Sequence, residues 1–332
     1  MTRTLVLRGP AAIWYDSQVH YTEDDIVCDI SIELSPVNTS MHGKVDDTAL
    51  NIKLEISATP IGIWGTAGAS FVAKTASLWP WLSATPGTAI FPATAAAEKT
   101  LVIKTLVDGA VYTFKSAAIT KMPSLKLSTQ KILCGSVTWT CLRALAAATH
   151  VVQAWTVAES LFATTAAAFT DNSFDTADVL RDSYTAIWTG VAGLTTATES
   201  LDGFAIDFGM DTTPESCDSL GVYDYTLKGV TCSAKFAPIG GPTIDQLITA
   251  MKIQSAGGAR GMSMAGVQAA TLVISGSAVG RPKITLNSAA LISAPMAFGM
   301  DKKRIGELTF NANRIFTGGA TGALAVIGVV TA

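Results

Sequence analysis

Residues 135–143 read GSVTWTCLR and residues 306–314 read GELTFNANR, one pattern written twice in the same chain. Gly135, Val137, Trp139, Cys141 and Arg143 align with Gly306, Leu308, Phe310, Ala312 and Arg314. Both stretches alternate apolar with polar positions, the period of a strand with one face buried. Working outward, Ala12-Ile13-Trp14 returns as Ala186-Ile187-Trp188, and Pro60-Ile61-Gly62 as Pro238-Ile239-Gly240. Leu101-Val102-Ile103 returns as Leu272-Val273-Ile274, Ser116-Ala117-Ala118 as Ser288-Ala289-Ala290, and Pro123 as Pro295. The order is kept and the separations stay between 171 and 178, which indicates a duplicated module. The first module is assigned to residues 1–150 and the second to 180–320. Residues 151–179 form an Ala/Thr-rich linker with a candidate helix near 151–162, and 321–332 a C-terminal tail.

Within each module the alternation predicts a long hairpin. Cys28, Ile30, Ile32 and Leu34 share one side of a strand, with Asp29, Ser31 and Glu33 on the other. Ile52, Leu54, Ile56 and Ala58 alternate in the same way with Asn51, Lys53, Glu55 and Ser57. Residues 38–48, NTSMHGKVDDT, then form a polar tip around Gly43. In the second module Phe204, Ile206, Phe208 and Met210 repeat the first strand, residues 214–224 replace the tip, and a phase change at Gly229 predicts a bulge. A helix follows each hairpin. One covers about 67–78; the other starts after Gly241-Pro242, where Thr243 and Gln246 have capping-box spacing ahead of an Ile244, Leu247, Ile248, Met251 stripe. The expected fold class is mainly β: two tandem β-sandwich or partial-barrel modules, each with a long hairpin and a short packed helix.

Charged residues are 15% of the 332 and hydrophobic ones 49%, so this chain has less charge than the roughly 25% of an ordinary soluble surface. No apolar run reaches the roughly 18–20 residues of a membrane helix, and residues 1–10 lack the pattern of a signal peptide. The apolar excess is then either surface that faces other copies of the chain or simple Ala and Thr richness. Five cysteines without a CxxC pair predict neither a disulfide framework nor a zinc site; Cys28, Cys141 and Cys232 fall in phase with core positions. A net charge of −3 with no basic tract does not support tight binding of nucleic acid.

Chemistry-bearing patterns are sparse. His20, His42 and His150 are widely spaced, and no HExxH, GxSxG or GxxxxGK[ST] occurs. Gly257-Gly258-Ala259-Arg260-Gly261 lacks the strand-to-helix context of a phosphate loop and suits a connector. Glu23-Asp24-Asp25 and Asp46-Asp47 lack EF-hand spacing and suit solvated turns. Trp14, Trp64, Trp79, Trp81, Trp139 and Trp188 allow a sugar- or base-stacking surface, but Trp14, Trp139 and Trp188 fall at repeat-matched strand positions, which favours core packing. No catalytic, cofactor or metal residue is assigned, and the chain is not expected to be an enzyme.

The order of these motifs resembles the major tail tube proteins of phages with long non-contractile tails. The resemblance spans nearly the whole chain. It rests on the early strand, the hairpin bearing Thr39-Ser40-Met41-His42-Gly43-Lys44-Val45-Asp46, Ser57-Ala58-Thr59-Pro60-Ile61-Gly62, a short helix, and Ala117-Ala118-Ile119-Thr120-Lys121-Met122-Pro123 before a final strand from Gly135. Single-module members of that family form hexameric rings, and some duplicated members form trimeric rings of six modules. The resemblance therefore implies a virion structural protein, assembled in the bacterial host cytoplasm, whose homotrimeric rings stack into a tube. The implied partners are other copies, the tape measure, tail terminator and distal tail proteins, and double-stranded DNA in transit. No cofactor and no membrane are implied.

A DNA conduit works best with a neutral or acidic wall, because a cationic wall holds phosphates. The polar strand side with Asp29, Glu33, Lys53 and Glu55, and Asp207 in the second module, is the candidate lining; the alternative is that this side faces solvent outside the tube. Asn38, Ser40, Met41, His42, Gly43, Lys44, Asp46 and Asp47, with Glu215 and Asp218 in the second module, are the candidate contacts to an adjacent subunit or ring. Competing assignments are another ring-forming phage-derived protein, such as a contractile-tail tube, secretion tube or baseplate component, and a carbohydrate-binding adhesion module.

Overall fold

The structure is a computed structural model that describes residues 3–7, 11–61, 63, 69–91, 99–105, 111–128, 132–142, 144–146, 149–151, 156–157, 182–217, 221–251, 270–298, 303–314, 316–317 and 320–331. It is mainly β, with antiparallel sheets that do not close into a barrel among these residues.

The first module runs β1 (Arg3–Leu7), β2 (Ala11–Tyr15), β3 (Gln18–Thr22), β4 (Ile26–Thr39), β5 (Gly43–Ala58), β6 (Pro60–Ile61), α1 (Ala69–Leu78), β7 (Leu101–Thr105), β8 (Val111–Phe114), β9 (Ala117–Lys121), β10 (Leu125–Leu127), β11 (Ile132–Cys134) and β12 (Val137–Cys141). A small hairpin, β13 (Ala144–Ala146) and β14 (Thr149–Val151), and the short β15 (Thr156–Val157) follow. Two sheets result, ordered β1-β4-β5-β12-β9 and β15-β8-β7-β2-β3-β6. Their inner faces meet where the Tyr15 ring stands edge-on to Trp139, centroids 5.9 Å apart.

The second module repeats this plan in β16 (Tyr184–Trp188), β17 (Thr198–Ser200), β18 (Phe204–Cys217), β19 (Gly221–Phe236), β20 (Pro238–Ile239), α2 (Ile244–Ala250), β21 (Ala270–Gly276), β22 (Pro282–Ser293), β23 (Met296–Phe298), β24 (Lys303–Ile305), β25 (Leu308–Asn311), β26 (Phe316–Thr317), β27 (Ala320–Thr321) and β28 (Ala325–Val329). Here β22 does alone what β8 and β9 do separately. Its first half pairs with β21 and its second with β25, so both layers join one eleven-stranded sheet. The crossing point is a buried serine with positive φ in both modules, Ser116 at 51° and Ser288 at 43°. A non-glycine residue in that region is strained, and the duplication of the strain marks it as part of the fold.

Pairing registers correct parts of the sequence alignment. Trp188 pairs with Leu272 as Tyr15 pairs with Leu101, and Trp188 Nε1–H donates to Ala289 O at 3.1 Å where the Tyr15 hydroxyl donates to Ala117 O at 3.4 Å. The counterpart of Trp188 is therefore Tyr15, and Trp14 is only half-buried. The Ala-Ile-Trp match is out by one residue. Likewise Gly306 N–H donates to Pro295 O as Gly135 N–H donates to Ser124 O, both at 2.7 Å, which aligns Pro295 with Ser124 and not Pro123. The candidate helix near 151–162 is contradicted at Val151, which ends β14, and at Thr156–Val157, which pairs with β8; 152–155 and 158–162 lie outside the described residues. In the C-terminal tail β28 pairs with β22. The capping box of α2 forms as predicted, with Gln246 N–H donating to Thr243 Oγ1 and Thr243 N–H to Gln246 Oε1.

Candidate assembly interface

The two long hairpins are the same device. Cys28 faces Ile56 as Ile206 faces Ala234, so one constant offset carries both strands of the first hairpin onto the second. In the first hairpin the ladder skips Leu50 and Val45; in the second it skips Lys228 and Tyr223, the same two positions under that offset. The bulge predicted at Gly229 is thus the Lys228 step beside it. The strands turn at Gly43 (φ 67°) and Gly221 (φ 62°), where a left-handed backbone favours glycine. The predicted loops 38–48 and 214–224 are mostly strand, since β4 reaches Thr39 and β5 resumes at Gly43. In the first hairpin the polar composition misled because an arm with solvent on both faces has no buried side to impose a period.

Their surroundings differ completely. The second hairpin lies across the first module, where Gly87 N–H donates to Leu227 O (2.8 Å), Ile90 N–H to Tyr225 O (2.9 Å) and Leu227 N–H to Thr88 O (2.9 Å). Ile90, Phe91, Ala118 and Leu142 of the first module pack there on Met210, Val222 and Tyr225. Phe91, fully buried, contributes about 2–3 kcal/mol by leaving water. Asp224 accepts from Phe91 N–H at 3.1 Å and from Tyr225 N–H at 2.7 Å, so its buried carboxylate ties both sides together. Lower down, β10 adds to the edge of β18 in the register Leu125↔Ile206 and Leu127↔Phe204.

The first hairpin is an exposed arm. From Leu34 to Ala49 every residue is exposed except Ser35 and Asp47, and at about 3.3 Å per residue the arm projects roughly 20 Å. Ile32 at its base and Leu34, Val37, Met41 and Val45 along it are five of the eleven large apolar side chains exposed among the described residues. A two-stranded ribbon is marginal by itself, and apolar surface gathered in this way is of the kind found at contact sites.

The predicted contact residues divide accordingly. Asn38, Ser40, Met41, His42, Gly43, Lys44 and Asp46 are exposed on the arm, and Lys44 pairs with the half-buried Asp47 at 2.8 Å. Asp46 accepts Asp47 N–H at 2.8 Å, the geometry of Asp224 with Tyr225. Glu215 is turned inward within its own hairpin, accepting from the Thr226 hydroxyl at 2.8 Å. Asp218 lies outside the described residues.

The candidate lining residues also separate. Glu33 accepts Val222 N–H at 3.0 Å, and Lys53 Nζ stands 5.8 Å from the centre of the Tyr225 ring, so both serve the joint between modules. Burial opposes the charge on Lys53, but the Glu55 carboxylate at 2.7 Å and Tyr225 outweigh it and raise its pKa. Asp29 is half-buried opposite Glu55 in the ladder, and Asp207 is exposed 3.6 Å from Lys235. The residues that sequence reasoning missed are Phe91, Asp224 and Tyr225. The one available signal was the place of Asp224, which falls where Asp46 falls in the first copy of the hairpin.

Chemistry elsewhere is quiet. Burial pushes the Cys28 and Cys232 thiols up to about 12, which leaves them as core hydrophobes. Among the described residues no group of three His, Cys, Asp or Glu side chains has the geometry of a metal site, and no helix is long and apolar enough to cross a membrane. Residues 257–261 lie outside the described residues. No protein-family model matches the sequence, and no curated protein matches it either.

Proposed function

We propose that this chain is the subunit of a hollow tube of stacked rings, the tail tube of a long-tailed phage. The observation that carries this reading is the unequal fate of two like hairpins. Within the chain, the second module's hairpin docks on the first module, so unlike surfaces of like modules are joined head to tail. Each chain retains one undocked hairpin, on its first module. Heterologous joints of this kind propagate until rotation closes them into a ring. With two modules per chain, sixfold closure takes three chains, and the exposed arm of each docks on the second module of the next.

The counterparts within the joint are chemically sensible. Asp211, exposed and holding in the second hairpin the position that Glu33 holds in the first, would receive Lys44 N–H as Glu33 receives Val222 N–H, with the Lys44 ammonium adding opposite charge. Asp29, Glu55 and Asp207 remain the acidic candidates for the inner wall, through which DNA passes without being held. The tape measure, terminator and distal tail proteins are the partners that such a tube needs at its axis and ends. Mass measurement on isolated rings, followed by electron microscopy of concentrated protein, tests the reading. Rings of three chains and long bare tubes are the expected result. Rings of six chains refute the closure, and a stable monomer that binds glycans favours the adhesion module.

A further inference from the structure

The edge of β18 away from β19 is covered by β10, with Leu125 opposite Ile206 and Leu127 opposite Phe204. The matching edge of β4 is covered by β1, with Leu5 opposite Cys28 and Leu7 opposite Ile26. Ile26 and Cys28 are the counterparts of Phe204 and Ile206, so residues 5 and 7 stand where 125 and 127 stand on the other module. Yet β1 is not the copy of β10. That copy is β23: its pairing with β24, Met296↔Ile305 and Phe298↔Lys303, repeats that of β10 with β11, Leu125↔Cys134 and Leu127↔Ile132, under a single constant offset.

Whereas β10 and β11 extend the second module's sheet, β23 and β24 form a two-stranded sheet with no further strand among the described residues. A lone two-stranded hairpin is barely stable, and the outer edge of β23 presents backbone groups for another strand. The chain has two edges of the type that β10 recognises. One, on β18, is taken by β10; the other, on β4, is held by β1.

We propose that β1 is a removable cover: it protects the β4 edge of the lone chain and leaves when Met296–Phe298 of a second copy takes its place, setting Met296 opposite Cys28 and Phe298 opposite Ile26. This rests on the ring reading above and names the strand exchange by which one joint forms. β1 spans five residues and β23 three, so β23 alone does not displace it. Docking of the incoming copy against the exposed arm supplies the rest, which couples uncovering of the edge to capture of the arm. Until then the cover keeps β4 from pairing with the wrong strand.

Hydrogen exchange on the intact chain, alone and assembled, tests the exchange directly. Amides of residues 3–7 are expected to be protected in the lone chain and to lose protection in rings, while those of 296–298 change in the opposite sense. A chain lacking residues 2–8 should assemble at lower concentration: if the cover is in place nine-tenths of the time, each joint tightens about tenfold and a ring of three joints forms at about 30-fold lower concentration. Rings in which 3–7 stay protected overturn the cover and leave the ring reading standing. A protein that stays single at every concentration, with or without residues 2–8, overturns the ring reading itself.

Discussion

Asp224 and Asp46 hold the same position in the two hairpins, which makes them a matched pair of probes. Asp224→Ala removes the acceptor for Tyr225 N–H and for Phe91 N–H, the latter at a fully buried residue. A hydrogen bond to a charged acceptor contributes about 1.5–3 kcal/mol, and a buried N–H left without a partner costs about 1–3 kcal/mol. The expected loss is about 2–3 kcal/mol of folding stability in the lone chain, read as a lower urea midpoint. Asp46→Ala removes only an exposed contact to Asp47 N–H, so the lone chain should change by no more than about 0.5 kcal/mol. If the arm docks as the second hairpin does, the same substitution weakens each joint by about 2 kcal/mol, roughly 30-fold per joint, and with three joints in a three-chain ring raises the concentration for half-assembly by about 160-fold. Sedimentation across a dilution series reads that shift. Asp46→Asn keeps an acceptor oxygen and should lose less. Rings of Asp46→Ala that form at the wild-type concentration would refute the equivalence of the hairpins.

His20 is buried, 2.8 Å from Ser77 Oγ, and burial, with Lys74 in second place, lowers its pKa to about 3. An unfolded histidine titrates near 6.5, so between about pH 6.5 and 3 the unfolded chain gains a proton that the fold refuses, and stability falls with pH through that window. His20→Gln should lose less thermal stability than wild type between pH 7 and 4.5; an equal loss rejects this source. At Ser288, whose φ is 43°, a β-branched residue is strongly disfavoured, so Ser288→Val should cost about 2 kcal/mol or more by thermal unfolding. A neutral outcome there means the strand kink is not fixed in solution. Replacing Asp29 and Asp207 by lysine should make tubes retain linear DNA at about 50 mM salt and release it at about 200 mM. Retention indistinguishable from wild type places that face outside the tube.

The hairpin bases and the final strand of each module were legible because one face of each is buried, and a buried face imposes an alternating period on the sequence. Ile26, Cys28, Leu54 and Ile56, all nearly inaccessible, carry that period plainly. The same reasoning failed at the predicted loop 38–48, where residues 38–39 and 43–48 are strand without a buried face, so that only their polar composition showed. The repeat was visible as matching words, but words do not record register. Only the shared donors at Tyr15 and Trp188 show that the Ala-Ile-Trp match slips by one. The joint itself was out of reach, because Phe91 and Asp224 are 133 residues apart and neither sits in a motif.

The surface of the internal joint and that of the arm differ in a way that suits the proposed ring. Where the permanent joint has Val222, Tyr225 and Leu227, the arm has Lys44, Asp47 and Ala49 at the corresponding positions of its own hairpin. A joint made once during folding tolerates an apolar surface, since that surface never meets water for long, and permanent interfaces are accordingly the more apolar ones. On the ring reading, an arm that remains in water until a second copy arrives has to offset its exposed apolar side chains with charge, or it associates at random. Lys44 and Asp47, paired at 2.8 Å, keep it hydrated. In the proposed ring the same lysine also faces Asp211, which adds an ion pair on association and gives the joint a salt dependence that the internal joint lacks. Raising salt should therefore separate rings into chains before it loosens the two modules of any chain, whereas simultaneous loss of both would mean that the two joints are not built from corresponding surfaces.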